Sequence, residues 1–441
     1  MTLHERLLAI RARPFFRALA VVVGGSAAAQ IINLVCAPIA TRLYGPTAFG
    51  VLGVFLALVY GLSPVATLAY EQATVLPKSD DEARILVRLS LVIAACFSAA
   101  LLLVFGVARD QIAHLVGFGA SPWYLLLVPA VVFFTASEAT LIQWMMRIKL
   151  FKTISASGVA YAAILNGLRI GLGLFVPTGP ALLLENAAGD VSYLSMLWSR
   201  VGASLRFDSS PRQRAESGVT TKHAARSYRD FPLFRAPEVL INSVSQNLPT
   251  IILAALFGPA AAGFYALAVR VLQLPGTLIS SSLGTVFLPR AARAGHEGEP
   301  LRPLLLRATG GLALAGILPF GLVVVLGPWL FGFVFGNQWV LAGQYARWIA
   351  LWQYLSFLNT PCVQAIPILG VQKEFLVFGV VTLPIRVGAL LAGALVLSSG
   401  VAAIALFSLS MVAANVVLIT WVLWKSGIRL RKGMPRGGEV S

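Results

Sequence analysis

Charge is scarce in this chain, and acid is scarcer. Of 441 residues only 12% are charged, and Asp and Glu number 17 against 34 Lys and Arg. An ordinary soluble domain carries roughly 25% charged residues, so a water-exposed surface of normal polarity is excluded. Cysteine is nearly absent. Cys36, Cys96 and Cys362 stand singly inside apolar runs, which fits small packing residues and excludes a disulfide framework. His4, His114, His223 and His296 lie in termini and loops without ligand spacing, so no metal site is expected. No nucleophile–base or paired-carboxylate motif stands out. The phosphate loop G-x-x-x-x-G-K followed by Ser or Thr is missing as well, which argues against chemistry driven directly by ATP. No cofactor is implied.

Hydrophobicity fills the space that charge leaves. Apolar residues make up 58% of the chain and mean hydropathy is +0.83. Apolar runs of about 20 residues bounded by charge predict spans near 18–41, 48–74, 88–107, 122–144, 153–176, 182–203, 237–257, 262–288, 308–327, 343–369, 375–397 and 400–424. These runs are too long and too continuous for barrel strands. The expected fold is an all-α integral membrane protein of twelve transmembrane helices. The start, with Arg6 to Arg17 before an apolar run, has the look of a cleaved leader. Hydrophobicity continues to Leu43, so a retained first span is expected.

A net charge of +17 would suggest nucleic acid in a soluble chain. Location argues otherwise. The N-terminus, the segments after even-numbered spans and the C-terminus hold 28 of the 34 Lys and Arg. By the positive-inside rule both termini and the connector Arg206–Arg235 are cytoplasmic, with anionic headgroups as a secondary attraction. No nucleic-acid partner is implied.

The chain also repeats itself about 213 residues apart. Leu43-Tyr44-Gly45-Pro46 with Gly50 returns as Leu256-Phe257-Gly258-Pro259 with Gly263, and Leu76-Pro77-Lys78 as Leu288-Pro289-Arg290. Six spans per half is an even number, so the halves are parallel, related by a pseudo-two-fold axis along the membrane normal. The expected organisation is an N-lobe over 1–203, a cytoplasmic linker over 204–236 and a C-lobe with a cytoplasmic tail over 237–441. The lobes surround a central cavity, as in secondary transporters, whose binding site lies between repeats.

Candidate functional residues are the ionisable groups inside spans, which are costly to bury. Arg169, Arg270 and Arg386 lie deep in spans 5, 8 and 11; Arg42 and Arg347 lie near external ends. An arginine keeps its charge and presents a fork matched to phosphate or carboxylate. The alternative is pairing with a buried acid or snorkelling. Glu71, Glu138 and Asp190 are the acids inside spans, with Glu238 at the edge of span 7. Each either carries a coupling proton or neutralises an arginine. Gln30 and Asn33 share one face of span 1, as Asn242 and Gln246 do on span 7. These stripes line a cavity or bond helix to helix. Trp329, Trp339, Trp348, Trp352 and Tyr345 are expected as interfacial anchors.

Four stretches carry a family resemblance: Pro38-Ile39-Ala40-Thr41-Arg42-Leu43-Tyr44-Gly45-Pro46 through Gly50; Tyr70-Glu71-Gln72-Ala73 with Leu76-Pro77-Lys78; Phe257-Gly258-Pro259 through Tyr265-Ala266 and Arg270 to Pro275; and Phe335-Gly336 with Trp339, Ala342-Gly343 and Tyr345. In these the chain resembles the Wzx-type polysaccharide flippases, relatives of the multidrug and toxic-compound exporters and the lipid II flippases. Span 6 departs from the pattern, being polar around Glu185-Asn186 and Asp190. The resemblance implies two six-helix lobes that open alternately to each side of a Gram-negative inner membrane. It implies as substrate an oligosaccharide on undecaprenyl pyrophosphate, moved to the periplasmic leaflet for O-antigen, capsule or exopolysaccharide. Polymerase and chain-length proteins of the same pathway are the implied protein partners. On this reading Arg270, Arg169, Arg386 and Arg42 hold the pyrophosphate, Gln30, Asn33, Asn242 and Gln246 meet the sugar, and a proton or sodium gradient couples through Glu71, Glu138 or Asp190. The competing expectations are a cation-coupled multidrug exporter of the same fold and a membrane glycan polymerase or ligase.

Overall fold

In the computed structural model, the structure describes residues 14–205, 220–273, 276, 287, 291 and 300–428. Residues 206–219 of the connector, the stop signal Leu288-Pro289-Arg290, Pro275 and both chain ends lie outside the described residues. About 90% of what is described is helical and no strand occurs there. The long helices are α1 Pro14–Leu43, α2 Pro46–Leu62, α3 Asp80–Leu115, α4 Leu127–Arg147, α5 Phe151–Phe175, α6 Gly179–Val201, α7 Ala236–Phe257, α8 over 259–273, α9 Leu301–Phe335, α10 Val340–Leu369, α11 Gln372–Leu395 and α12 Gly400–Ile428.

Among the described residues, nine helices are long and apolar enough to cross a membrane. The expected count of twelve is not reached by that standard. Helix α6 is diluted by Glu185, Asn186 and Asp190, α10 by its Gln, Asn and Arg side chains, and α8 is described over only part of its expected span. The span expected over 48–74 is also interrupted. Helix α2 ends at Leu62, Ser63–Val65 forms a single 3-10 turn, and Leu68 and Ala69 take positive φ (52° and 60°) before the short helix Tyr70–Ala73. Pro64 lacks a backbone donor, which favours the break. The Ser63 hydroxyl donates to the Val59 carbonyl (2.7 Å) and satisfies one group left free there.

By packing, the chain divides into Met1–Gly263 and Phe264–Ser441. In the first unit α2 is central and packs on α4, α6 and α7, while α1 lies along α5 and α3 along α4. Its buried residues Val51, Leu52, Val54, Phe55 and Val59 join Leu125, Val128, Val131, Val132, Leu182 and Leu183 in one core. The repeat register pairs α7 with the second half, but its packing is with α2. One end of the unit is fastened by arginines. Arg147, closing α4, pairs with Asp80 (2.9 Å) and donates to the carbonyls of Thr74 (3.2 Å) and Pro77 (2.8 Å). Arg84 and Arg88 donate to the carbonyls of Ser204 (3.0 Å) and Leu205 (3.1 Å), capping the turn that ends α6.

At the opposite end the two copies of the repeated signal touch. A Cβ on Gly50 would overlap the Pro259 carbonyl oxygen, and a Cβ on Gly263 would overlap the Pro46 carbonyl oxygen. Shifted by 213, Pro46 becomes Pro259 and Gly50 becomes Gly263, so this is one contact made twice in reciprocal sense. Gly117, at φ +60°, and Gly119 bring the loop after α3 equally close to Ala254 and Pro259.

In the second unit α9 packs on α10 and α12, and α11 on α12. Helices α9 and α10 cross backbone to backbone at Gly327 and Gly343. Leu305, Cys362, Ile366, Leu369, Leu418 and Val422 form its core. Two of the expected interfacial anchors belong to the interior. Trp339 and Tyr345 are buried and receive the Phe264 ring edge-on at 5.9 and 6.2 Å. Trp329 is exposed and stacks on Phe333 at 5.5 Å.

Gly50→Ala is expected to destabilise the protein by roughly 1–3 kcal/mol because backbone must move. Gly61→Ala on the same helix meets nothing within 4 Å and should be neutral or stabilising by about 0.5–1 kcal/mol. Thermal unfolding of the two variants in detergent checks the contrast.

Candidate functional site

Polar residues in the first unit gather on the facing sides of α4, α5 and α6. Arg169 on α5 forms a two-pronged pair with Glu185 on α6, at 3.1 and 3.2 Å, and the two side chains are 4% and 0% exposed. The Tyr44 hydroxyl donates to the Arg169 carbonyl (3.1 Å). One turn back on α5, Asn166 donates to the side-chain oxygen of Asn33 (2.7 Å) and to the Ala162 carbonyl (2.8 Å). A planar fork met by a carboxylate in low dielectric is strongly held once made.

Two further acids lie on α4 and α6. Tyr161 donates to Asp190 (2.6 Å) and stacks on Tyr193 at 4.7 Å. Glu138 on α4 is within electrostatic range of Asp190. All of Glu138, Asp190 and Asn186 are buried, and no Lys or Arg pairs with either acid among the described residues. Glu138 Oε1, Asn186 Oδ1 and Ser137 Oγ are buried without a hydrogen-bond partner there. Asn186 and Asp190, spaced i, i+4, lie on one face of α6. The cluster is therefore rich in oxygen and poor in positive charge.

A second polar feature runs along α7. Glu238, Asn242 and Gln246, spaced i, i+4, i+8, are all exposed, and Gln246 donates to Asn242 (3.2 Å). At its base Arg235 pairs with Glu238 (2.9 Å) and donates to Gln72 (2.9 Å). This helix is apolar enough to span. Exposed amides on such a helix are costly against lipid and stable against water or a polar ligand.

The expected site residues divide accordingly. Arg169 takes the alternative the sequence left open, with its fork filled by Glu185. Asn33 bonds helix to helix, to Asn166, and Gln30 on the same face is half-buried. Glu138 and Asp190 come together. Glu71 lies apart from them, buried and bonded to the Thr67 hydroxyl. Arg42 and Arg270 are exposed and each interacts within the chain. Arg386 is half-buried on α11, with Nε lacking a partner among the described residues. Asn166, Tyr161 and Gln72 were not foreseen. Asn166 and Arg169 at i, i+3, opposite the polar run Glu185, Asn186 and Asp190, were the available signal for the first two.

These helices and their order define an all-α fold shared with solved membrane-protein structures. The chain is similar to an inward-facing multidrug resistance MATE family transporter of the MOP superfamily, at 13% identity and TM-score 0.65 over 92% of this chain and 96% of that one. It is likewise similar to the lipid II flippase MurJ in an inward closed conformation, at 12% identity and TM-score 0.69 over 93% of each chain. A mutant form of the Vibrio cholerae MATE transporter VcmN matches at 15% identity and TM-score 0.56, over 95% of this chain and 97% of that one. Among curated proteins no match is found. The family model described as "Polysaccharide biosynthesis protein" matches residues 39–343. The chain belongs to that family, as a multi-pass membrane protein with a flippase-like fold.

Replacing Glu185 with Leu leaves Arg169 buried without its partner. A loss of about 3–5 kcal/mol is expected, with the double change Arg169→Met and Glu185→Leu recovering most of it. Unfolding midpoints of the three proteins in one detergent measure this.

Proposed function

We propose that the protein is a flippase for an oligosaccharide carried on undecaprenyl pyrophosphate. It moves this lipid from the cytoplasmic to the periplasmic leaflet of a bacterial inner membrane by alternating access, for O-antigen, capsule or exopolysaccharide synthesis. Both termini are cytoplasmic on this reading, which rests on where the Lys and Arg lie. The observation that carries the proposal is the exposed amide stripe Asn242–Gln246 on a membrane-spanning helix, in a chain of the polysaccharide biosynthesis family. Sugar hydroxyls both donate and accept, and side-chain amides do the same. A pyrophosphate needs fixed positive charge, and on the second unit Arg386 and Arg270 are the candidates to supply it. Arg169 serves the scaffold instead. The gradient acts through Glu138 and Asp190, whose buried oxygens accept a proton or a sodium ion and have no basic side chain paired with them among the described residues.

The test is flipping of a fluorescent polyprenyl-pyrophosphate oligosaccharide in proteoliposomes. Arg386→Ala and the pair Asn242→Ala with Gln246→Ala are expected to slow flipping about tenfold or more, since a lost charged or bidentate contact costs roughly 1.5–3 kcal/mol. Flipping no faster than in empty vesicles, together with export of cationic dyes, would replace this reading with the multidrug exporter.

Coupling has its own measurement. Glu138→Gln and Asp190→Asn are expected to keep some downhill flipping while abolishing its acceleration by an imposed proton or sodium gradient. Acceleration equal to wild type in both variants would remove these acids from the coupling role.

A further inference from the structure

The segment that leads into α7 has two faces with different fates. Ala224, Tyr228 and Phe231, at i, i+4, i+7, turn toward the protein. Ala224 is buried with Tyr70, Ala73, Ile85 and Leu86, and Tyr228 and Phe231 pack against this cluster with ring centroids 6.5 Å apart. The Tyr70 hydroxyl donates to the Ala225 carbonyl (3.1 Å) and holds the short helix Thr221–Ser227 in place. Lys222, Arg226 and Arg229 repeat at the same spacing, about 200° around the helix axis from the buried set. All three are exposed, and none has an ion-pair partner among the described residues. Asp230 is the one acid in 220–235.

Depth is fixed by the neighbours. The segment lies under the first turns of α3, whose Asp80 pairs with Arg147 at the end of α4, and it runs directly into α7 at Ala236. Leu233 and Phe234, just before α7, are 60% and 70% exposed. Two large apolar side chains and three unpaired cations therefore stand at the level where membrane helices end. A basic face beside exposed Leu and Phe is the composition of an element lying in a headgroup layer.

We propose that Lys222, Arg226 and Arg229 form a binding face for the phosphodiester headgroups of anionic phospholipids in the leaflet at this end, with Leu233 and Phe234 inserted beside them. Because the opposite face is anchored on Tyr70 and Ala73, bound lipid would steady the entry to α7 and, through Arg235 and Gln72, the base of its polar stripe.

Hydrogen–deuterium exchange of 221–235 tests this in nanodiscs free of any polyprenyl lipid. In discs containing phosphatidylglycerol the wild-type segment should exchange at least about fivefold more slowly than in pure phosphatidylcholine. Salt near 0.5 M, with a screening length of about 4 Å, should remove the difference. The triple variant K222E/R226E/R229E should lose the lipid dependence, and the charge-preserving K222R/R226K/R229K should keep it. Equal exchange in the two lipids, or a lipid effect retained by the charge-reversed variant, overturns the proposal. Protection that appears only when a polyprenyl diphosphate is added also overturns it, because the face would then belong to that ligand.

Discussion

The interior of the first unit depends on one requirement: an ionised group taken into an apolar slab must be matched inside it. Arg169 and Glu185 meet that requirement for each other, and the rest of the polar interior is arranged around them. Tyr44 bonds to the backbone of Arg169, and Asn166 one turn away ties α5 to α1 through Asn33. Three helices are thereby held in register by polar contacts where apolar packing alone gives little specificity in a membrane. Glu138 and Asp190 stand outside this balance. Two buried carboxylates with no basic partner among the described residues are unfavourable as bare anions, so this pair is suited to take up a cation or a proton.

Much of the fold was legible in the sequence. Apolar run length and bounding charge located most helices, because a membrane span must satisfy its own backbone and must be about 20 residues long. The errors fell where a local rule competes with that one. Residues 48–74 were expected as one continuous span, and Pro64 instead belongs to a break that ends α2 at Leu62. Trp339 and Tyr345 were read by composition as interfacial, yet they pack against Phe264 inside the second unit. An aromatic ring suits either place, and run length alone does not distinguish them.

The candidate site was legible in part, for a different reason. Residue type indicates that a group is expensive to bury but not what neutralises it. Arg169 and Arg386 look alike along the chain, each a lone arginine in an apolar helix. One faces Glu185 on the next helix, and the other has a buried nitrogen without a partner among the described residues. Only the pairing of helices separates a strut from a candidate ligand. Helical spacing did better. The i, i+4 rule placed Asn242 and Gln246 on one exposed face, and extending it by a turn would have added Glu238.

The contact between Pro46–Gly50 and Pro259–Gly263 has a consequence for internal symmetry. When residue i meets residue j and j in turn meets i, the surface is self-complementary, which is how two identical chains meet across a two-fold axis. A polypeptide of half this length would already carry both sides of that surface and could pair with its own copy. The chain therefore holds within a single polypeptide the kind of contact that a homodimer makes across its two-fold axis. Neither glycine can gain a side chain without striking the other copy's proline.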